Sequence, residues 1–224
     1  MRRWFVVLGV GALTLVILGI VRPDLIVIAN TPTGGDMGAH VLGPAELRDT
    51  LLPQGRISGW SNSWFAGFPL FYFYFPLPSL LIVALDLLMP YGVAFKLVTV
   101  LGLLATPASA TFFARTLGYD RVTSLLAGVF GGSIVLVESY TIYGGNLPST
   151  MAGEFSFSWS FALGLFALGM LMKATDKPSL RPWAALLLAL TALAHVLTTL
   201  MIVVGSLAIL FRRGGAASTF ITWV

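Results

Sequence analysis

Asp36 follows two glycines in the stretch Thr31-Pro-Thr-Gly-Gly-Asp-Met-Gly-Ala-His40, soon after the first long apolar segment of the chain. Gly34 and Gly35 permit a tight turn with positive φ, which brings the carboxylate to a surface. Two roles fit the local sequence: a cap for a helix starting near Met37, or a general base or metal ligand acting on an acceptor hydroxyl. His40, four residues on, shares a helical face with Asp36. It is placed to orient the carboxylate, to contact a phosphate, or to be an ordinary interfacial histidine. A second carboxylate, Glu154, closes a polar stretch that begins at Ser139 and opens an apolar run. A carboxylate there complements a helix dipole and is equally placed for chemistry. Two carboxylates at one face can share a divalent cation such as Mg2+ or Mn2+, or bracket a substrate hydroxyl.

Other polar groups lie in the same kinds of place. Arg48 and Arg56 are bidentate donors suited to a phosphate, and suited equally to Glu46, Asp49 or lipid. The aromatic run from Trp60 to Phe75 holds Trp60, Trp64 and Tyr72. Such rings anchor at the headgroup level of a membrane and also offer faces on which sugar rings stack. Phe75-Pro-Leu-Pro-Ser79 breaks regular structure and then starts a short helix, with proline in its first turn; Asp86 on that helix is expected to face headgroups. His195 lies deep in apolar sequence, where an ionisable side chain is a functional candidate by default and where helix packing accounts for it as well.

The elements that must position these groups are set by composition. Of the 224 residues, 57% are hydrophobic and 10% charged, with a mean hydropathy of +0.91, whereas soluble domains carry about 25% charged residues. This composition predicts a polytopic membrane protein. The formal charge of +4 comes from basic residues between apolar blocks, as membrane topology requires, so a nucleic-acid partner is not expected. With no cysteine there is no disulfide framework, thiolate metal site or cysteine nucleophile. Two histidines rule out a histidine-rich metal cluster.

Arg2-Arg3 and the apolar run after them lack a small-x-small cleavage site, which predicts an uncleaved first helix with a cytoplasmic N-terminus. Further apolar blocks lie at about 76–89, 92–114, 122–138, 156–172 and 183–211, and a span needs about 20 residues. Charge decides between topologies. If 76–89 lies on the outer surface and 183–211 turns near His195, then Arg2, Arg3, Arg115, Arg121, Lys173, Lys177, Arg181, Arg212 and Arg213 are all cytoplasmic, as the positive-inside rule asks. Six spans result, at about 4–22, 92–114, 121–138, 156–173, 182–194 and 197–211, with outer loops at about 23–91 and 139–155. The expected fold is an all-α integral membrane protein, a polytopic helical bundle whose large first extracytoplasmic loop carries short surface helices. Residues 1–213 form this module, and 214–224 read as the start of a further segment of a longer protein.

Four stretches carry a family resemblance: G-D-M-G-A-H near 35–40, W-F-A-G-F-P-L-F-Y-F-Y-F-P-L-P at 64–78, F-F-A-R-T-L-G at 112–118 and L-A-H-V-L-T-T-L at 193–200. Through them the chain resembles the bacterial membrane family labelled "6-pyruvoyl-tetrahydropterin synthase-related". A soluble pterin synthase uses a histidine zinc site, which two histidines cannot build. The chain is also similar to GT-C glycosyltransferases, with an acidic motif in the first outer loop, a proline-containing surface segment, two spans and a second outer acidic site. Asp36 matches the first acidic position and Glu154 resembles the second; Gly35 stands where many such families have a second acid.

The resemblance implies an inverting membrane glycosyltransferase of the plasma membrane. It would take sugar from a polyprenyl-phosphate donor to a cell-envelope glycan or protein acceptor on the extracytoplasmic side. Asp36 and Glu154 would be catalytic. His40, Arg48, Trp60, Trp64, Tyr72 and His195 would contact substrate, and Asp36 and Glu154 would hold a divalent cation if one is used. A lipid or glycan transporter, or a non-catalytic scaffold of an envelope assembly complex, is the alternative. A transporter would bury charges near the midplane of discontinuous helices, whereas most ionisable residues here flank the apolar blocks.

Overall fold

The computed structural model describes residues 3–64, 66–139 and 142–223, with side chains described up to Phe211. Arg2 and Phe65 lie outside the described residues, as do the side chains of Arg3, Arg212 and Arg213. Ten α-helices are described: α1 Arg3–Ile20, α2 Pro23–Ile26, α3 Met37–Glu46, α4 Pro76–Asp86, α5 Tyr91–Thr116, α6 Arg121–Val135, α7 Leu147–Ser149, α8 Phe155–Asp176, α9 Arg181–Ala194 and α10 Val196–Trp223.

Local sequence explains several of the boundaries. Prolines stand in the first turns of α4, α7 and α9, where the missing N–H costs nothing. Asp120 caps α6 by accepting from the N–H groups of Val122 and Thr123 at 2.7 and 2.9 Å, and Asn146 caps α7 through the N–H of Ser149. The all-α expectation needs one correction. Gly59–Ser61 (β1) and Phe68–Leu70 (β2) form a two-stranded antiparallel hairpin, with Trp60 opposite Pro69. Alternating burial along β1 seats Gly59 and Ser61 inward and turns Trp60 outward.

Side-chain contacts fix the direction of each long helix. Trp159 of α8 donates its indole N–H to the Val98 carbonyl of α5 at 2.6 Å. Further along both helices, Phe112 meets Phe166 with centroids 5.6 Å apart, so α5 and α8 run parallel. Gly102 lets them approach, since a Cβ there would stand 2.5 Å from the Trp159 nitrogen. Helix α6 runs back against α5, with Gly128 and Gly131 set on Thr111 and Ala110, and α1 lies parallel to α6 through Gly9 on Leu125 and Ile17 near Gly132. Helices α9 and α10 form a hairpin on the flank of α8, joined by the single extended residue His195. Ser160 of α8 donates to the Thr191 carbonyl at 2.9 Å, and Gly164 faces Ile202 of α10.

The bundle therefore has two unlike ends. The starts of α5 and α8 meet at one, where Phe95 and Phe155 touch edge to face. The other gathers Arg115, Arg121, Lys173, Lys177 and Arg181 at the end of α5, the start of α6 and the turn between α8 and α9. Two helical stretches, Tyr91–Thr116 and Leu147–Asp176, are long and apolar enough to cross a membrane. The regular part of the second, α8, has 22 residues, about 33 Å at ~1.5 Å per residue.

At the aromatic end, Met37, Ile82, Phe95, Val98 and Phe155 form a fully buried cluster that ties α3 and α4 to α5 and α8. Leu47, Leu51, Leu70, Phe71 and Val83 form a second, which seats the hairpin on α4. Lys96 of α5 donates to the carbonyls of Leu25 and Ile28 at 2.7 and 2.5 Å and to the Asn30 side chain at 2.8 Å. It thereby satisfies backbone acceptors of the segment leading to Asp36.

Candidate functional site

The turn carrying Asp36 is held against the loop that precedes α8. The Asp36 N–H donates to the Ala152 carbonyl at 2.7 Å. Gly35 has φ +50, and a Cβ there would stand 2.3 Å from the same carbonyl oxygen, so only glycine allows the two backbones to close. On the facing side Gly153 has φ +132, and a Cβ would lie 3.0 Å from a His40 ring carbon and 3.1 Å from the Asp36 Cβ. Thr150 secures the loop from below, its hydroxyl 2.6 Å from that of Ser158. Two loops far apart in sequence thus bring Asp36 beside Glu154, the residue after Gly153.

Neither carboxylate is used up by local structure. Asp36 precedes α3 and Glu154 precedes α8, yet neither side chain caps its helix. Among the described residues neither forms an ion pair. Asp36 is exposed and Glu154 half-buried. Burial, reinforced by the neighbouring charge of Asp36, raises the Glu154 carboxyl above its ordinary value. Burial pushes the His40 imidazole below its ordinary value against the partial opposition of Asp36, which favours the neutral ring.

Tyr74 completes the cluster. Its hydroxyl lies 3.3 Å from the His40 Nε2, and the two rings pack 5.2 Å apart. Burial raises this phenol, with the nearby charges of Glu154 and Asp36 adding to the effect and a hydrogen bond with Ser156 opposing it. Reading by residue type singled out Tyr72, which is 65% exposed. The two tyrosines are one residue apart in an aromatic run, and simple alternation puts both on one side. Residues 71–74 form turn and bend rather than extended strand, with Phe71 left-handed at φ 61, so the alternation fails and Tyr74 is turned inward.

Below the cluster is a cavity of about 100 Å3, lined by His40, Trp64, Phe68, Phe71, Tyr74 and Phe155 among others. Trp64 therefore reaches the site. Trp60 does not: it is 62% exposed and lies across Gly67. His195 packs against Phe75 at 4.8 Å and Phe157 at 5.4 Å. Its Nδ1 is buried without a partner among the described residues.

Arg48 takes, of the roles open to it in the sequence, the pairing with Asp49, and the structure adds a partner from α4. Its guanidinium grips Asp49 with two bonds, at 2.6 and 2.8 Å, and Asp86 with a third at 2.5 Å, and it lies over the Tyr91 ring. Asp86, expected to face headgroups, is 13% exposed and serves as that partner. A cation so neutralised is not a free phosphate receptor. Among the described residues no group of three histidine, aspartate or glutamate side chains converges as a metal-ligand set. Asp36 and Glu154 would offer a divalent cation two carboxylates, and a proton-transfer role requires no more than Asp36 itself. No family model, curated protein or solved structure matches the chain.

Proposed function

We propose that the chain is the membrane module of a glycosyltransferase of GT-C type, working at the extracytoplasmic face of the plasma membrane. The observation that carries the reading is the convergence of Asp36 and Glu154, which among the described residues neither cap a helix nor form an ion pair, beside the His40–Tyr74 pair that lines a cavity walled by aromatic rings. Polyprenyl-phosphate sugar is the donor and a cell-envelope glycan or protein the acceptor. Asp36 accepts the proton of the acceptor hydroxyl as its oxygen attacks the anomeric carbon. The bond from that carbon to the phosphate oxygen breaks, the electron pair leaves with polyprenyl phosphate, and the anomeric configuration inverts. Glu154, half-buried beside Asp36, hydrogen-bonds a neighbouring hydroxyl of the acceptor and so holds it in line. Trp64 and Tyr74 offer ring faces and edges to the sugar.

Multi-pass insertion with a cytoplasmic N-terminus is part of the same proposal. It is supported by the alternating helix directions, by two helices long enough to span, and by the basic residues gathered at the end opposite Asp36. The outer faces of α1, α6 and α10 expose Leu8, Leu15, Phe130, Leu200, Met201 and Val204, an apolar surface of the kind a bilayer covers. The experiment is transfer of radiolabelled sugar from polyprenyl-phosphate donors to envelope material by membranes holding the full-length protein. The reading expects label transfer that Glu154→Gln diminishes. A wild type that transfers nothing from any donor pool would remove the enzyme and leave a transport or scaffold role.

A further inference from the structure

A groove of about 440 Å3 runs between α9 and α10 along the flank of α8. Its size falls within the roughly 300–1,000 Å3 of ligand clefts. Leu171 and Ala174 of α8, Ala184 and Ala192 of α9, and Val203 and Leu210 of α10 stand on its walls. It follows the helices toward the basic end, away from Asp36 and Glu154. Alanines at 174, 184, 185 and 192 open it, because none fills the space between the antiparallel α9 and α10.

Arg181 is the charged group among the lining residues. It is exposed and forms no ion pair or side-chain hydrogen bond with a described residue. From Arg181 to Ala192 the groove follows α9 for about 16 Å at ~1.5 Å per residue. That is close to the ~15 Å of one leaflet's hydrocarbon. An apolar slot one leaflet deep, with a free guanidinium at the headgroup end, matches an acyl chain bearing a phosphate. Basic residues at the cytoplasmic face favour anionic headgroups, and a guanidinium holds a phosphate by paired hydrogen bonds.

We propose that this groove binds one acyl chain of an anionic phospholipid from the cytoplasmic leaflet, its phosphate paired with Arg181. The site rests on the membrane reading above and is separate from the carboxylate cluster. The test is native mass spectrometry of the detergent-purified full-length protein, titrated in turn with phosphatidylglycerol, phosphatidylcholine and inorganic phosphate. The expected result is one retained phosphatidylglycerol adduct, weakened about tenfold by Arg181→Gln, largely kept by Arg181→Lys, and lost on filling the slot with Ala185→Trp.

Phosphatidylcholine binding as tightly, with no effect of Arg181→Gln, would overturn the headgroup assignment. Inorganic phosphate competing fully would show a bare anion site without an acyl chain. An adduct that survives Ala185→Trp would place the lipid elsewhere. Because Arg181 is exposed, its variants remain informative if the filling variant does not fold. Alkaline extraction of membranes tests the underlying reading separately: release of the protein would sink membrane insertion itself. Retention without a phosphatidylglycerol adduct would sink only the lipid site.

Discussion

Gly34 and Gly35 form a matched pair for testing whether contact between two loops sets the position of Asp36. Both have positive φ, +101 and +50. A Cβ on Gly34 would meet open space, whereas one on Gly35 would stand 2.3 Å from the Ala152 oxygen and 2.9 Å from its carbonyl carbon and Cα. Strain alone ranks them one way. The left-handed helical region costs a non-glycine residue about 1–2 kcal/mol, and sparsely populated regions cost about 1–3 kcal/mol, so Gly34→Ala would be the worse change. The collision reverses that order. Two backbones cannot relieve it by rotating a side chain, so the turn must part from the 150–154 loop and lose the Asp36 N–H bond to Ala152, about 1 kcal/mol more. Gly35→Ala should therefore destabilise by about 2–3 kcal/mol.

Parting the loops also moves Asp36 away from Glu154, and a misplacement of about 1 Å can lower a rate on the order of 100-fold. Thermal unfolding in detergent, with sugar transfer after reconstitution, reads both effects. The expectation is near-complete loss of transfer in Gly35→Ala and retention of most of it in Gly34→Ala. Equal losses in the two, or a worse Gly34→Ala, would refute the claim that this contact builds the site.

Tyr74→Phe removes the hydroxyl beside His40 and should lower transfer about tenfold while costing at most about 1 kcal/mol in unfolding; unchanged transfer would leave Tyr74 as wall alone. Arg48→Ala strands the Asp86 carboxylate and should destabilise by about 1–3 kcal/mol with transfer retained. A specific loss of transfer at full stability would restore Arg48 to the substrate site. His40 carries a pH signature. Its folded value is pushed below the ordinary 6.5, so the unfolded chain takes up the proton first as pH falls. The stability it contributes is then present above 6.5 and lost as pH drops through the folded value. The thermal midpoint of the wild type should accordingly fall faster than that of His40→Gln between about pH 7 and about pH 5; parallel curves would contradict the burial of the ring.

Where the local sequence held strong signals, helix boundaries could be anticipated from them. Phe75-Pro76 predicts a helix start, and α4 begins at Pro76. The apolar run at 183–211 predicts a turn near His195, where the helix is interrupted by one extended residue. The acidic candidates stood out because each follows a glycine at the mouth of an apolar run. The pairing of Arg48 with Asp86 was hidden, since it depends on α4 folding back over the turn that follows α3. Arg48 had four nearer acids to choose from in the sequence, Asp24, Asp36, Glu46 and Asp49. Tyr74 was hidden by its own neighbourhood, an aromatic run in which residue type does not separate inward from outward. The β1–β2 hairpin was missed because three-residue strands give too short a stretch of alternation to register.

The most direct test of the account is transfer by Asp36→Asn, measured beside thermal stability in the same preparation. Asp36 is exposed, caps no helix and forms no ion pair among the described residues, so the amide should leave the unfolding midpoint where it is. It should also abolish transfer, because the amide cannot accept the proton of the acceptor hydroxyl. Wild-type transfer from a correctly inserted Asp36→Asn protein would contradict the account at its centre.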